Sequence, residues 1–243
     1  MEPRSLTSPH GIVDLVGLWL RFPRPLQLGE ATHLRGFFGR AFSDEVMLHH
    51  HEADGRLRYA YPKVQFKVLD RTAHLIGLAD GAALVTRLWA EVDQARIGTE
   101  VLPVLEAGLS RRAEQLGESE GAILYRFRTP WLGLNQENHA RYQAATGSKD
   151  RQALLERALV GNCLSLAKGF GHWVRARITA DCQGLRPVDA GLKGVAMVGF
   201  VGTFRVNFHI PEHAGIGKSV SRGFGTVERV VEPAKQTQRG QAC

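Results

Sequence analysis

Cysteine is scarce in this chain and shows no pattern. Cys163, Cys182 and Cys243 are the whole complement among 243 residues. They are odd in number and widely spaced, and no Cys-x-x-Cys pair occurs, which argues against a disulfide framework or a thiolate zinc site and fits a reducing cytoplasm. Long apolar runs are lacking too. Charged residues interrupt each apolar stretch within about a dozen positions, and the N-terminus has no basic-then-apolar layout, so neither a membrane span nor a signal peptide is expected. Nor is there an acidic excess: 31 lysines and arginines stand against 24 aspartates and glutamates, a formal net charge of +7. That balance suits an anionic partner without requiring one. What remains is the composition of a folded soluble protein, 44% hydrophobic and 23% charged, long enough for one large core or two ordinary ones.

The most informative stretch is Gly215-Ile216-Gly217-Lys218-Ser219-Val220-Ser221-Arg222-Gly223-Phe224-Gly225. Glycine tolerates positive φ and holds no other backbone away, so such a loop can turn amides toward a phosphate while Lys218 and Arg222 supply charge and Ser219 and Ser221 supply hydroxyls. A nucleotide P-loop is a poor fit. Its spacing wants a glycine where this chain has Glu212, and the residues after Ser219 run into Gly223 and Gly225 instead of a helix. A glycine-rich hairpin with no ligand is the plain alternative.

Periodicity organises the rest. Ile12–Arg21 has the length and apolarity of a buried strand, and Glu30–Phe42 places Leu34, Phe37, Phe38 and Ala41 on one helical face. Arg58–Val68 alternates, with Val64, Phe66 and Val68 against Lys63, Gln65 and Lys67. A tight turn at Asp70-Arg71 leads to a strand at His74–Leu78, and a helix follows over Gly81–Val92. The polar run Arg111–Gly121 reads as a linker, dividing the chain into residues 1–118 and 119–243. Behind it the pattern recurs: a strand at Ile123–Thr129, a helix over Asp150–Lys168, and strands at Val174–Ala180 and Val195–Phe208. Two successive strand-helix-strand-strand halves predict an α+β fold of tandem ferredoxin-like (RRM-like) domains with antiparallel sheets. In the second half the polar strand positions carry Arg126 and Arg128, Arg175 and Arg177, and Arg205. Period-two alternation puts each set on the face away from the core: a solvated face taken alone, a continuous basic track if the glycine loop lies beside it.

His49, His50 and His51 follow the first helix. In an extended segment His49 and His51 project to one side and His50 to the other. A metal site would need a third ligand, for which His33 or His74 could serve. A solvated cluster without a role is another reading. The third is acid–base chemistry on RNA, with a neutral imidazole taking the proton of a ribose 2′-hydroxyl.

Four segments together resemble the CRISPR-associated Cas-six endoribonucleases, most closely their b-type branch: Leu48-His49-His50-His51, Tyr61–Lys67, Gly161–Gly171 and the Gly215–Gly225 loop. The resemblance extends over nearly the whole chain. It implies two ferredoxin-like domains and metal-independent cleavage of precursor CRISPR RNA, leaving a 5′-hydroxyl and a 2′,3′-cyclic phosphate. It also implies repeat RNA as partner and no cofactor, with other Cas effector-complex subunits as candidate further partners. By position His51 matches the family's principal histidine and His49 its helper; the branch more often has Asn where this chain has His50, and Tyr where it has Phe66. Lys67 joins Gly215, Gly217, Lys218, Ser219, Ser221, Arg222, Gly223 and Gly225 and the five arginines as the expected RNA-binding set. A non-catalytic RNA-binding subunit and a metal-dependent hydrolase built on His49 and His51 stand as alternatives.

Overall fold

The computed structural model describes residues 11–48, 61–192 and 195–231. The first half runs β1 (Ile12–Arg21), α1 (Ala31–Ala41), β2 (Val64–Leu69), β3 (Thr72–Leu78), α2 (Asp80–Glu91), a small hairpin of β4 (Gln94–Ile97) and β5 (Glu100–Pro103), and β6 (Glu106–Gln115). Its sheet is antiparallel in the order β2-β3-β1-β6. That is the ferredoxin-like arrangement, with β6 as the fourth strand and the hairpin inserted ahead of it. The turn between β2 and β3 is the expected one: Asp70 and Arg71 both take positive φ, 47° and 63°, the backbone that matches strand twist in a two-residue hairpin. Leu34 and Phe38 of α1 and Leu84, Val85 and Leu88 of α2 pack with Leu18, Leu20, Phe66 and Leu75 into one core.

The second half begins with β7 (Gly117–Trp131), then α3 (Gln136–Ala144), α4 (Ser148–Gly169), β8 (Ala180–Asp181), β9 (Leu185–Leu192), β10 (Val195–His209) and β11 (Val227–Arg229). Its strands lie in the order β11-β7-β10-β8, with β9 also paired to β10. The order is again ferredoxin-like. α4 is the first crossing helix, burying Leu155, Leu159, Cys163 and Leu166 against Tyr125, Phe127, Trp131 and Phe204. Where a second helix would cross between β10 and β11, this half has the glycine loop and a single 3-10 turn, Val220–Arg222. Among the described residues no helix is long and apolar enough to cross a membrane.

Two expectations fail for physical reasons. The polar run Arg111–Gly121 is not a linker but the end of β6 and the start of β7, joined through Leu116. β6 is the edge of its sheet and is largely exposed, so charge there is what an edge strand carries. The expected strand at Val174–Ala180 is irregular up to Ala180. Side chains take its amides instead: Glu118 accepts those of Arg175 and Ala176, and Asn207 accepts that of Thr179.

α2 lies unusually close to its sheet. A Cβ on Gly77 would come within 2.3 Å of the Gly81 carbonyl oxygen and 2.8 Å of Val85 Cγ2. Gly77→Ala is therefore expected to cost about 1–3 kcal/mol through overpacking, read from the urea midpoint. An unchanged midpoint would contradict this close approach.

Candidate nucleic-acid interface

The glycine loop is a folded-back structure, closed by a bridge between Gly215 and Thr226. Ile216 N donates to Gly225 O at 2.9 Å, and Val227 N to Ala214 O at 3.0 Å. Its glycines answer steric demands. Gly225 has φ +63°, and a Cβ there would lie 2.0 Å from Ile216 O; Gly217 has φ +92°, and its Cβ would meet Trp131 Nε1 at 2.8 Å. Most loop amides serve the protein itself: Lys218 N donates to Leu132 O at 3.0 Å and Gly225 N to Pro130 O at 2.9 Å, while Arg222 and Gly223 donate within the 3-10 turn. The expected cradle of amides is thus largely occupied. What the loop offers outward is charge.

Strand β2 of the first half grips this loop. Gln65, fully buried, accepts Gly215 N at 2.9 Å and donates to Tyr61 Oη at 2.8 Å, while Tyr61 Oη donates to Gly215 O at 2.7 Å. Lys67, also fully buried, donates to Thr226 Oγ1 at 3.0 Å. Burial brings its ammonium down to about 7. Lys67 therefore supports the loop from beneath, closed to solvent, a correction to its place among the expected contacts. Ser221 is buried as well. Tyr61 also packs on Phe170, at 5.4 Å between ring centroids, just beyond α4, and Asn162 of α4 accepts Trp131 Nε1 at 2.9 Å. Three of the four segments singled out in the sequence, 61–67, 161–171 and 215–225, thus meet in one place. His49, His50 and His51 lie outside the described residues. The described chain leaves at Leu48, buried in the first core, and re-enters at Tyr61 against the loop.

The cations divide into two kinds. Lys218 is exposed and Arg222 half-buried, and neither has a carboxylate partner among the described residues. Arg35 of α1, passed over in the sequence, lies near Arg222: burial, and then the Arg222 charge, lower its pKa. Two guanidiniums near each other, neither paired with an acid among the described residues, favour an anion. Arg126 and Arg128 differ. They stand on the outer face of β7, where Arg126 pairs with Glu228 and Arg128 bridges Asp70 at 2.6 Å and Glu228 at 2.9 Å. Half-buried Arg205 shares that face, opposite Leu124. The expected continuous basic track is interrupted there by acids. Arg175 and Arg177 are exposed on the irregular segment, not on a strand. Buried Cys163 has its thiol pushed up to about 12 and Cys182 is likewise raised, so neither is a nucleophile at neutral pH.

His74 and His213 face each other across the two halves, 6.4 Å between ring centroids. Burial pulls both from the ordinary 6.5 down to about 4; Arg128 and Lys67 act in the same direction on His74, and His74, Arg112 and Lys67 on His213, against Asp70 and Glu228. His74 is thus half-buried at this interface. One Nε2 or Nδ1 of His213 and one oxygen each of Glu212 and Glu228 fall within 4.8 Å of one another, but Glu228 is already held by two guanidiniums. The depressed histidines predict acid sensitivity: the unfolded chain takes up these protons near 6.5 and the folded one near 4, so stability falls as pH drops through that window. In the His74→Gln/His213→Asn variant, thermal midpoints measured from pH 7 to 4 should fall less steeply. Parallel curves would refute the burial cause.

Models of two family domains match the chain: the Cas6b N-terminal domain over residues 13–115 and the Cas6b C-terminal domain over residues 117–230. A crystal structure of Cas6b superposes with TM-score 0.82 at 31% identity, covering 90% of this chain and 100% of that one. A crystal structure described as CRISPR RNA processing endoribonuclease Cas6b does so with TM-score 0.70, at the same identity and coverage. An uncharacterized protein from Methanocaldococcus jannaschii is 38% identical over 133 residues, 55% of this chain and 90% of that one.

Proposed function

This chain belongs to the Cas6b family, and from that premise we propose that it is an endoribonuclease that binds CRISPR repeat RNA and cuts precursor CRISPR RNA into guide RNAs. The observation that carries the reading is the convergence at Gly215. Strand β2, the end of α4 and the glycine loop meet there, Lys218 and Arg222, without a carboxylate partner among the described residues, belong to that loop, and the chain bearing His49 and His51 re-enters beside it at Tyr61.

In this reading the RNA backbone lies along Lys218, Arg222 and Arg35, which set its register through phosphates. The imidazole of His51 takes the proton from the 2′-hydroxyl next to the scissile phosphate. The 2′-oxygen attacks phosphorus, and the 5′-oxygen leaves with a proton, giving a 2′,3′-cyclic phosphate and a 5′-hydroxyl; His49 assists. Imidazole works as a base near neutral pH and is worth on the order of 10²- to 10⁴-fold. In-line positioning of the 2′-oxygen supplies much of the remainder. The chemistry needs no metal. Cytoplasmic action fits the same reading, with other Cas effector-complex subunits as candidate partners.

His51→Ala should abolish or severely slow cleavage of repeat RNA with nearly unchanged affinity, because a general base acts in the transition state. His49→Ala should cost less and His50→Ala least. A repeat with a single 2′-deoxy nucleotide just 5′ of the scissile phosphate should bind normally and resist cutting, and the natural repeat should be cut fully in excess EDTA. Binding without cleavage of the natural repeat would favour a non-catalytic subunit. Loss of activity in EDTA, with 3′-hydroxyl and 5′-phosphate products, would make His49 and His51 metal ligands.

A further inference from the structure

The irregular segment 172–179 is held in place at both ends. Glu118 accepts the amides of Arg175 and Ala176, and its other oxygen lies 2.7 Å from His172 Nε2. Burial opposes ionisation of this carboxyl, but the hydrogen bonds outweigh it and hold it down at about 2. Farther along, Asn207 accepts Thr179 N at 2.6 Å and donates to Arg177 O at 3.0 Å. With its backbone fixed, the segment nevertheless leaves Trp173 81% exposed and Arg175 and Arg177 in solvent. A large aromatic ring on an anchored backbone is presented to a partner at little further ordering cost.

Beside the segment runs an open groove of about 730 Å³ against α4, floored by Val160, Leu164 and Ile178 and flanked by Arg157 and Arg177. Arg157, Arg175 and Arg177 have no acidic partner among the described residues. The acid lining the groove, Glu156, is taken by Gln152 Nε2 at 2.7 Å and faces the Cys182 amide at 3.5 Å. Guanidiniums without an acidic partner among the described residues, on the same segment as an exposed indole and along the groove beside it, suit a single-stranded nucleic acid, whose phosphates and base faces answer both features. The surface also leads away from the proposed site: Phe170, which packs on Tyr61 at the glycine loop, ends the helix just ahead of Trp173.

We propose that α4 and segment 172–179 form a second RNA-docking surface, on which Trp173 stacks one unpaired base of the repeat while Arg157, Arg175 and Arg177 hold neighbouring phosphates. This rests on the reading of the chain as a repeat-RNA endoribonuclease.

The test is fluorescence anisotropy of the full chain with the deoxy-blocked repeat over a salt series. Trp173→Ala should weaken binding about 5- to 150-fold, the worth of one stacked base, with little change in salt slope, and Trp173→Phe should retain most of the affinity. Arg175→Ala/Arg177→Ala should flatten the slope by about 1.4, at about 0.7 per phosphate contact. Lys218→Ala/Arg222→Ala serves as reference. If the reference variant loses affinity while the Trp173 and Arg175/Arg177 variants bind as the unaltered chain does, the platform is wrong and the functional reading stands. If those variants bind RNA normally but lose a protein subunit of an effector complex, the face belongs to a protein and the proposal fails. If the unaltered, folded chain does not bind the repeat, both fall.

Discussion

A set of hydrogen bonds between fully buried Gln65, half-buried Tyr61 and Gly215 joins the two halves of this protein, and the placement of the candidate site depends on it. Gln65 sits on a strand of the first sheet, while Gly215 opens the loop of the second. In the low dielectric of the interior, a broken partner leaves an unsatisfied amide at a cost of about 1–3 kcal/mol. The arrangement is therefore directional as well as cohesive. Lys67 adds a second tie, to Thr226, from the same strand. Arg128 adds a third at the surface by reaching Asp70, in the turn that follows β2.

The second half makes room for this contact by lacking a helix. In a complete ferredoxin-like half, a helix between the third and fourth strands would seal the core. Here Ile216 packs into that core from the glycine loop, with Val220 of the same loop also buried, and the loop approaches the neighbouring backbone of the first half closely. Gly223 shows the approach: a Cβ there would lie 3.0 Å from Ala31 Cβ and 3.3 Å from Phe66 O. One short segment thus closes a core, seals an interface and turns Lys218 outward. The same compactness explains why its amides are engaged within the protein instead of free for phosphate.

Much of the fold was legible in the sequence, because period-two and helical spacing of apolar residues report burial directly. The α4 region is an example, and Ile12–Arg21 was legible by its length and apolarity. The polar edge strand β6 was not, since exposure on both faces removes alternation and leaves a charged run that reads as a linker. Segment 174–179 alternated convincingly, yet its amides went to Glu118 and Asn207, partners too far off in sequence for any local pattern to reveal. The glycine loop was legible as a feature, but its reason, backbone approach at Gly217 and Gly225, depends on Trp131 and Ile216. Lys67 looked like a surface cation because alternation alone does not show that both faces of β2 are covered. Arg35 gave no signal apart from its neighbour Arg222. Trp173 was passed over as well, since its exposure depends on the anchored backbone of its segment.

The central claim is that β2 acts on RNA through the loop it holds, and a double-mutant cycle on repeat affinity tests it most directly. Gln65 is fully buried, so Gln65→Ala removes no RNA contact. The account predicts that it nonetheless weakens binding in the otherwise unaltered chain, and that the same change adds little once Lys218→Ala/Arg222→Ala has removed the cations that the loop presents. Equal losses in both backgrounds, or no loss in either, would contradict it.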